Sequence, residues 1–219
     1  MTVESGLVFR RNNGSALVDL GAINEELAEI QMRVVPVDLR PHPSAIRQLL
    51  CKPSLDAGEA ERVKAHFLLS RERLLEVIRN AGREPQVEEG GSLETHVMPH
   101  DYSYPQLFQV EEGSNYARFD AFHCNLAEDG SCAVDEVAQF LAGGPHHVLH
   151  LTPSGDTLLL TVTCPGDDGG WLVTYSGATP HSGRIGDARI GTKALVQVIG
   201  PARWTMDYDV PQGLEPPVA

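Results

Sequence analysis

A chain of 219 residues is long enough for one sizeable domain with its own core, and a net charge of −13 with a sequence pI near 5.0 argues against a phosphate-backbone or anionic-membrane partner. No apolar run approaches the roughly 20 residues that a bilayer span needs. The N-terminus Met1-Thr2-Val3-Glu4 has no basic-then-apolar leader pattern, so a cytoplasmic address is the expectation.

From the start of the chain, Leu7-Val8-Phe9 and Ala16-Leu17-Val18 flank the turn Asn12-Asn13-Gly14-Ser15 and predict a hairpin. Asn24 followed by Glu25 and Glu26 reads as the cap of a short helix. Arg33 to Val37 reads as a short strand ended by prolines, and Ser44 to Cys51 as a second short helix. The strongest helical pattern spans Ala57 to Ala81. Asp56 and Glu59 form a capping box, Val63, Phe67, Leu74, Leu75 and Ile78 share one face, and Gly82 ends the run. His42 and His66 in this part are read as structural.

After Gly90 the pattern changes to short strands between Gly, Pro, Asn and Asp turns, including Gln106 to Val110, Tyr116 to His123, Val134 to Leu141, His146 to Thr152, Thr157 to Thr163, Trp171 to Tyr175 and Ala194 to Ile199. Many short strands without intervening helices predict an antiparallel sandwich or barrel. The expected division is a mixed, helical extension over 1–90 packed on a barrel over 91–210, with a frayed tail over 211–219. Cys51, Cys124, Cys132 and Cys164 are widely spaced and read as reduced thiols. No Gly-rich phosphate loop leads into a helix, so no nucleotide cofactor is expected.

Two stretches offer chemistry. In the first, His123-Cys124-Asn125 precedes the turn Glu128-Asp129-Gly130-Ser131, and Glu136 opens a run ending at Gly143. In the second, Gly170, a strand and the turn Ser176-Gly177 lead to His181. Glu136, Val137 to Ala142 and Gly143 match the E-x6-G half of the first cupin motif. His123-Cys124-Asn125 stands where its H-x-H falls, with Asn in place of the second His, and the Gly170 to His181 stretch looks like the second motif with one extra turn residue. The chain thus resembles the cupin superfamily over about residues 91 to 208. That resemblance implies an antiparallel cupin-type β-barrel, a double-stranded β-helix or jelly roll, with an N-terminal helical annex.

Two histidines and one carboxylate are also the donor set of non-heme Fe(II) oxygenases, because three protein ligands on one face leave positions open for substrate and dioxygen. His123, Glu136 and His181 are the expected ligands of one divalent metal ion per chain. Fe(II) is favoured over Zn, Mn or Ni. Strand alternation puts Val134, Ala138 and Phe140 on the face of Glu136, sets Phe119 and Ala121 beside His123, and turns the Cys124 thiol away. Asn125 is read as a hydrogen-bonding residue for a bound water, since a neutral amide is a weak ligand beside imidazole and carboxylate.

Tyr104, with Tyr102, is expected over the barrel mouth, and Arg118 is the expected cation for a carboxylate substrate. His96 and His100 are weaker cavity candidates. His146, His147 and His150 abut Gly143-Gly144-Pro145 and are read as rim or surface residues, and Trp171 and Trp204 as core or interface. The expected function is an Fe(II) oxygenase acting on a small polar molecule, with a small-molecule substrate and dioxygen as its partners and neither nucleic acid nor membrane. A redox-neutral isomerase, lyase or decarboxylase and a non-catalytic ligand-binding module are the alternatives. Apolar edge strands make a homodimer compatible with the pattern.

Overall fold

The computed structural model describes residues 6–86, 96–97, 103–110, 121–164, 168–185, 189–201 and 203–211. The expectations attached to Arg118, Phe119, Tyr102, His100, the side chain of His96 and the tail beyond 211 lie outside these residues. The elements are β1 (Leu7–Arg11), β2 (Ala16–Leu17), α1 (Leu20–Leu27), β3 (Arg33–Asp38), α2 (Ser44–Leu50), α3 (Ala57–Phe67) and α4 (Arg71–Asn80) in the first part. There follow β4 (His96–Val97), β5 (Ser103–Tyr104), β6 (Gln106–Gln109), β7 (Cys124–Ala127), β8 (Asp135–Leu151), β9 (Thr157–Cys164), β10 (Gly169–Ser176), β11 (His181–Ile185), β12 (Lys193–Ile199) and β13 (Trp204–Asp207).

The organising element is β8, which takes part in two layers of one curled antiparallel sheet. Its first half pairs with β10 and β12, and its second half pairs with β9 and β11. The sequence reading divided this run into two strands at Gly143-Gly144-Pro145. The chain instead bends there without leaving the sheet. Gly143 and Gly144 take φ of +68° and +119°, values that L side chains rarely adopt, and the register slips between Gly143 and His146. A Cβ on Gly143 would come 2.9 Å from the Thr192 Cα, so the bend also needs the absence of a side chain.

Between the layers, Leu7 and Phe9 of β1, Ala138, Phe140 and Val148 of β8, Leu158, Leu160 and Val162 of β9, and Val173 and Tyr175 of β10 form the main core, closed by Ile23 and Leu27 of α1. The predicted hairpin is present, and β1 and β3 extend the sheet by pairing with β9 and β10. Pro36, which lacks a donor, is tolerated because β3 lies at the sheet edge. Outward residues of β8 and β12 are covered by helices. Leu141 and Leu195 meet Leu49, Val63 and Phe67, while Val137 and Ile199 meet Leu74 and Ile78. Buried on both faces, these strands read as near-continuous apolar runs.

Two helical expectations change. The run from Ala57 to Ala81 is two helices, broken at Leu68 to Ser70, where the Ser70 side chain caps α4 by accepting from Arg73 N. Strand side chains supply the bonds that make the break affordable. Gln197 accepts from Leu69 N at 2.9 Å and donates to Leu69 O at 3.0 Å, and Gln139 donates to Phe67 O at 2.8 Å. The predicted capping box of Asp56 and Glu59 is present at α3. The first helix is capped by Asp19 rather than Asn24. Asn24 lies inside α1, where its amide pairs with both backbone groups of Val34. Among the described residues no helix is long and apolar enough to cross a membrane.

Candidate metal centre

His123 and His181 are brought together by backbone pairing. Each donates its N–H to the other's carbonyl at 2.9 Å, an antiparallel bridge that puts both side chains on one face. Their ring centroids stand 4.5 Å apart. Asn125, two residues along, shares that face by alternation. Its segment is fixed by Asn125 N donating to Gly177 O and Gly177 N donating to Val134 O, both at 2.8 Å. Gly177 is required for this closure, since a Cβ there would come 2.9 Å from the Asn125 Cβ. Cys124 points the other way as expected, its thiol donating to Ala178 O at 3.3 Å and pushed up to about 11 by burial.

Glu136 is the second residue of β8, directly across from Tyr175 of β10. Its carboxylate faces the barrel interior, with Oε1 3.1 Å from His181 Nε2 and accepting from Asn125 Nδ2 at 2.5 Å, while Oε2 accepts from the Tyr175 hydroxyl at 3.0 Å. Burial alone would raise this carboxyl. The facing His181 and His123 and the Asn125 hydrogen bond outweigh it and hold the group down at about 2.

Both imidazoles are oriented by carbonyls, His123 Nδ1 by Ala121 O at 3.0 Å and His181 Nδ1 by Thr179 O at 2.7 Å. A carbonyl only accepts, so Nδ1 carries the hydrogen in each ring. His181 Nε2 therefore faces a carboxylate oxygen of Glu136 and stands 3.3 Å from Asn125 Nδ2, a place where a cation would meet both the ring nitrogen and the carboxylate. The oriented-imidazole pattern is that of metal ligands. A separation of 3.1 Å matches two donors each about 2.1 Å from one ion at roughly a right angle. Asn125 Oδ1 and His150 Nε2 are buried without a hydrogen-bond partner. The residues fit a divalent cation in donor type and ring orientation. They are closed on one another, however, and no group of three His, Cys, Asp or Glu among the described residues is already spread to hold an ion.

The surrounding cavity is lined by apolar side chains, among them Phe108, Ala138, Phe140, Val148, Val196 and Met206, and by Tyr104, Tyr175, His146, His147 and Arg184, around His123, Asn125, Glu136 and His181. Ala138 and Phe140 thus share the face of Glu136 as predicted. Val134 is buried on a neighbouring cluster with Tyr104, Val198 and Trp204. Tyr104 packs against Phe108 and Trp204 beside the cavity. The Trp204 side chain is core, as expected.

The three histidines read as rim or surface residues are all buried, because β8 continues through the glycines and carries them into the second layer, and His146 and His147 line the cavity there. His146 packs on Phe140 at 4.5 Å and donates from Nε2 to Ala142 O at 3.3 Å, and His147 Nδ1 meets Thr161 Oγ1 at 3.0 Å. His150 stacks on His181 and meets Tyr175 edge-on. Sequence reasoning missed Tyr175 and His150. The i, i+2 spacing of Val148 and His150 marks a shared face, but which face depends on the Gly143–Gly144 bend.

Burial lowers His146 to about 3, so its unfolded form takes up a proton first as pH falls below about 6.5. Its contribution to stability is complete above that value and is lost as pH drops toward 3. The expected slope is about 1.4 kcal/mol per pH unit from this histidine. Glu136, shifted down from 4.5 to about 2, adds a second loss as pH falls through that window. Urea unfolding of metal-free protein from pH 7.5 to 4.5 checks the first step, which His146→Leu should flatten by that slope.

No protein-family model and no curated protein sequence matches the chain. Among solved structures it is similar to an acireductone dioxygenase from Bacillus anthracis with cadmium ion in its active centre, with a TM-score of 0.61 and 11% identity over 93% of this chain and 97% of that one. At that identity the likeness is one of fold, and with the curled antiparallel sheet it identifies the architecture as a cupin-type β-barrel carrying helices from the N-terminal part.

Proposed function

We propose that the chain is a mononuclear metal-dependent cupin enzyme, an Fe(II) oxygenase acting on a small molecule bound in the barrel cavity. One observation carries the reading. Two imidazoles, each oriented through Nδ1 by a backbone carbonyl, face a buried carboxylate kept ionised in a chamber whose walls are largely apolar but also carry His146, His147 and Arg184. Such a carboxylate is costly to bury unless a cation accompanies it. The likeness to a dioxygenase with an ion in its active centre supports the same reading.

In this reading His123, Glu136 and His181 hold the ion. A divalent ion there supplies Lewis acidity and, as Fe(II), redox chemistry toward dioxygen. Asn125 and Tyr175 donate to opposite oxygens of Glu136 and fix the carboxylate plane. Phe108, Phe140, Val148 and Val196 keep water from the chamber and accept the apolar part of the substrate. Tyr104 offers a phenol at the wall for orientation.

Protein purified without chelator is expected to carry close to one divalent ion per chain. After anaerobic Fe(II) loading it should consume oxygen with at least one member of a panel of small acids and enediols. Absence of a stoichiometric ion after reconstitution would sink the enzyme reading. A zinc-loaded protein inert to oxygen across the panel would move it to redox-neutral lyase or isomerase chemistry.

A further inference from the structure

Among the described residues that line the cavity, two polar side-chain atoms are buried without a hydrogen-bond partner, Asn125 Oδ1 and His146 Nδ1. Asn125 belongs to the ion end. His146 stands at the other end, and nothing in the reading above uses it. Glu136, Ala138 and Phe140 take successive inward positions on β8, which sets Glu136 and Phe140 about 13 Å apart along the strand. Beyond the Gly143–Gly144 bend, His146 packs its ring back on Phe140, with centroids 4.5 Å apart. Val148, two residues on, shares the His146 face and lines the same cavity. The chamber therefore runs from the ion end across an apolar band of Ala138, Phe140 and Val148 to the His146 ring.

The hydrogen-bonding state of that ring is fixed by its neighbours. Nε2 stands 3.3 Å from Ala142 O, and a carbonyl only accepts, so Nε2 carries the hydrogen and Nδ1 is left with a lone pair. The residue is 2% exposed, and burial holds the ring down at about 3, so it stays a neutral acceptor at ordinary pH. The adjacent His147 differs, since its Nδ1 already meets Thr161 Oγ1. A purely structural role favours an apolar ring over His146, because a buried acceptor left unpaired is destabilising.

We infer that His146 Nδ1 is a specificity determinant of this cavity, accepting a hydrogen bond from a hydroxyl or N–H group at the end of the substrate remote from the ion. The inference deepens the proposed function and rests on its reading of the cavity as the substrate site. It names a substrate class, a small molecule whose ion-facing head is separated by an apolar stretch from a neutral hydrogen-bond donor. A tail without a donor leaves Nδ1 unpaired, and a carboxylate or phosphate tail sets lone pairs against a lone pair. Discrimination built on such a bond is steeper than discrimination by apolar fit alone, because the wrong ligand strands a buried polar group.

The test uses full-length, metal-free protein, so that its outcome does not depend on the ion. n-Butanol is titrated against its isomer methyl propyl ether, which has the same atoms and no donor, and against butanoate, with labelled-histidine nitrogen NMR reporting on His146. n-Butanol is expected to move the Nδ1 resonance of His146 and to bind about 10-fold more tightly than the ether. His146→Phe should abolish that preference while keeping a ring on Phe140. His146→Asn, whose amide oxygen can accept, should restore part of it, and it and the wild-type resonance decide the point should the Phe variant fail to fold. Equal binding of alcohol and ether, binding of neither, or a preference that survives in His146→Phe would overturn the inference. Tighter binding of butanoate would also overturn it, giving this end of the cavity to Arg184 and an anionic tail. None of these results touches the metal reading. A protein that takes up neither Zn(II) nor Fe(II) but prefers the alcohol would lose the proposed metal chemistry and keep His146 as its recognition group.

Discussion

Glu136→Gln is expected to abolish stable ion binding while leaving the barrel folded. Glutamine keeps the shape and its single oxygen can still accept from either Tyr175 or Asn125, but it removes the negative charge that the imidazoles face. Losing an outer partner of a metal site typically costs 10–100-fold in affinity. With Glu136 as the proposed anionic ligand, its loss should therefore cost about 100-fold or more.

Stability gives an independent readout. An ion at 100 times its dissociation constant stabilises the folded form by about 2.7 kcal/mol. Added Zn(II) or Fe(II) should thus raise the unfolding temperature of the wild type and leave that of Glu136→Gln almost unmoved. The variant should also lack the acid-sensitive step between pH 4.5 and 2, because no carboxylate remains to be protonated. A variant that retains one ion per chain at wild-type affinity would remove Glu136 from the ligand set.

The second large effect is expected at Arg83, just beyond α4. Its guanidinium donates to Gln31 O at 2.6 Å and Thr174 Oγ1 at 2.9 Å and lies 3.2 Å from Asp135 Oδ1, with both charged side chains almost wholly buried. Asp135 also accepts from Gln86 N at 2.8 Å. Burial pushes the Arg83 guanidinium down and the Asp135 carboxyl up, in each case against the attraction between them, so the pair does not fully offset its desolvation. Removing one partner is worse, because it leaves the other charge buried alone.

Arg83→Met should therefore cost about 3–5 kcal/mol. The double variant Arg83→Met with Asp135→Asn should recover a large part of that loss. Chemical unfolding of the wild type, both single variants and the double variant forms the cycle that decides the point. Near-additive losses would show that the ion pair is not the source of the effect. Since Asp135 immediately precedes Glu136, Arg83→Met should also weaken ion binding, whereas a loss confined to the helices would spare it.

What could be read from the chain before folding follows the range of the forces involved. Strands after Gly90 were legible because alternation and turn residues are local, and Glu136, Ala138 and Phe140 do share the cavity wall. His123 and His181 meet as expected, through backbone pairing of the two matching stretches. The break between α3 and α4 was not legible, because Gln139 and Gln197, which stabilise it, lie on strands distant in sequence. Gly143-Gly144-Pro145 carries the composition of a turn, and only pairing with four neighbouring strands keeps β8 in the sheet on both sides. That misreading also sent His146, His147 and His150 to the rim or surface, whereas all three are buried and His146 and His147 line the cavity. Tyr175 escaped notice because its partnership with Glu136 depends on register.

The passage of β8 through both layers has a consequence for how the molecule can be rewired. Circular permutants opened at the exposed Asn13–Gly14 tip should assemble, because no shared ladder is cut there. New termini placed between Gly143 and Gly144 would sever the only covalent tie that runs straight from Glu136 to His150. Such a permutant must recover their spacing from non-covalent pairing alone, and it is the one whose halves should drift out of alignment first on warming.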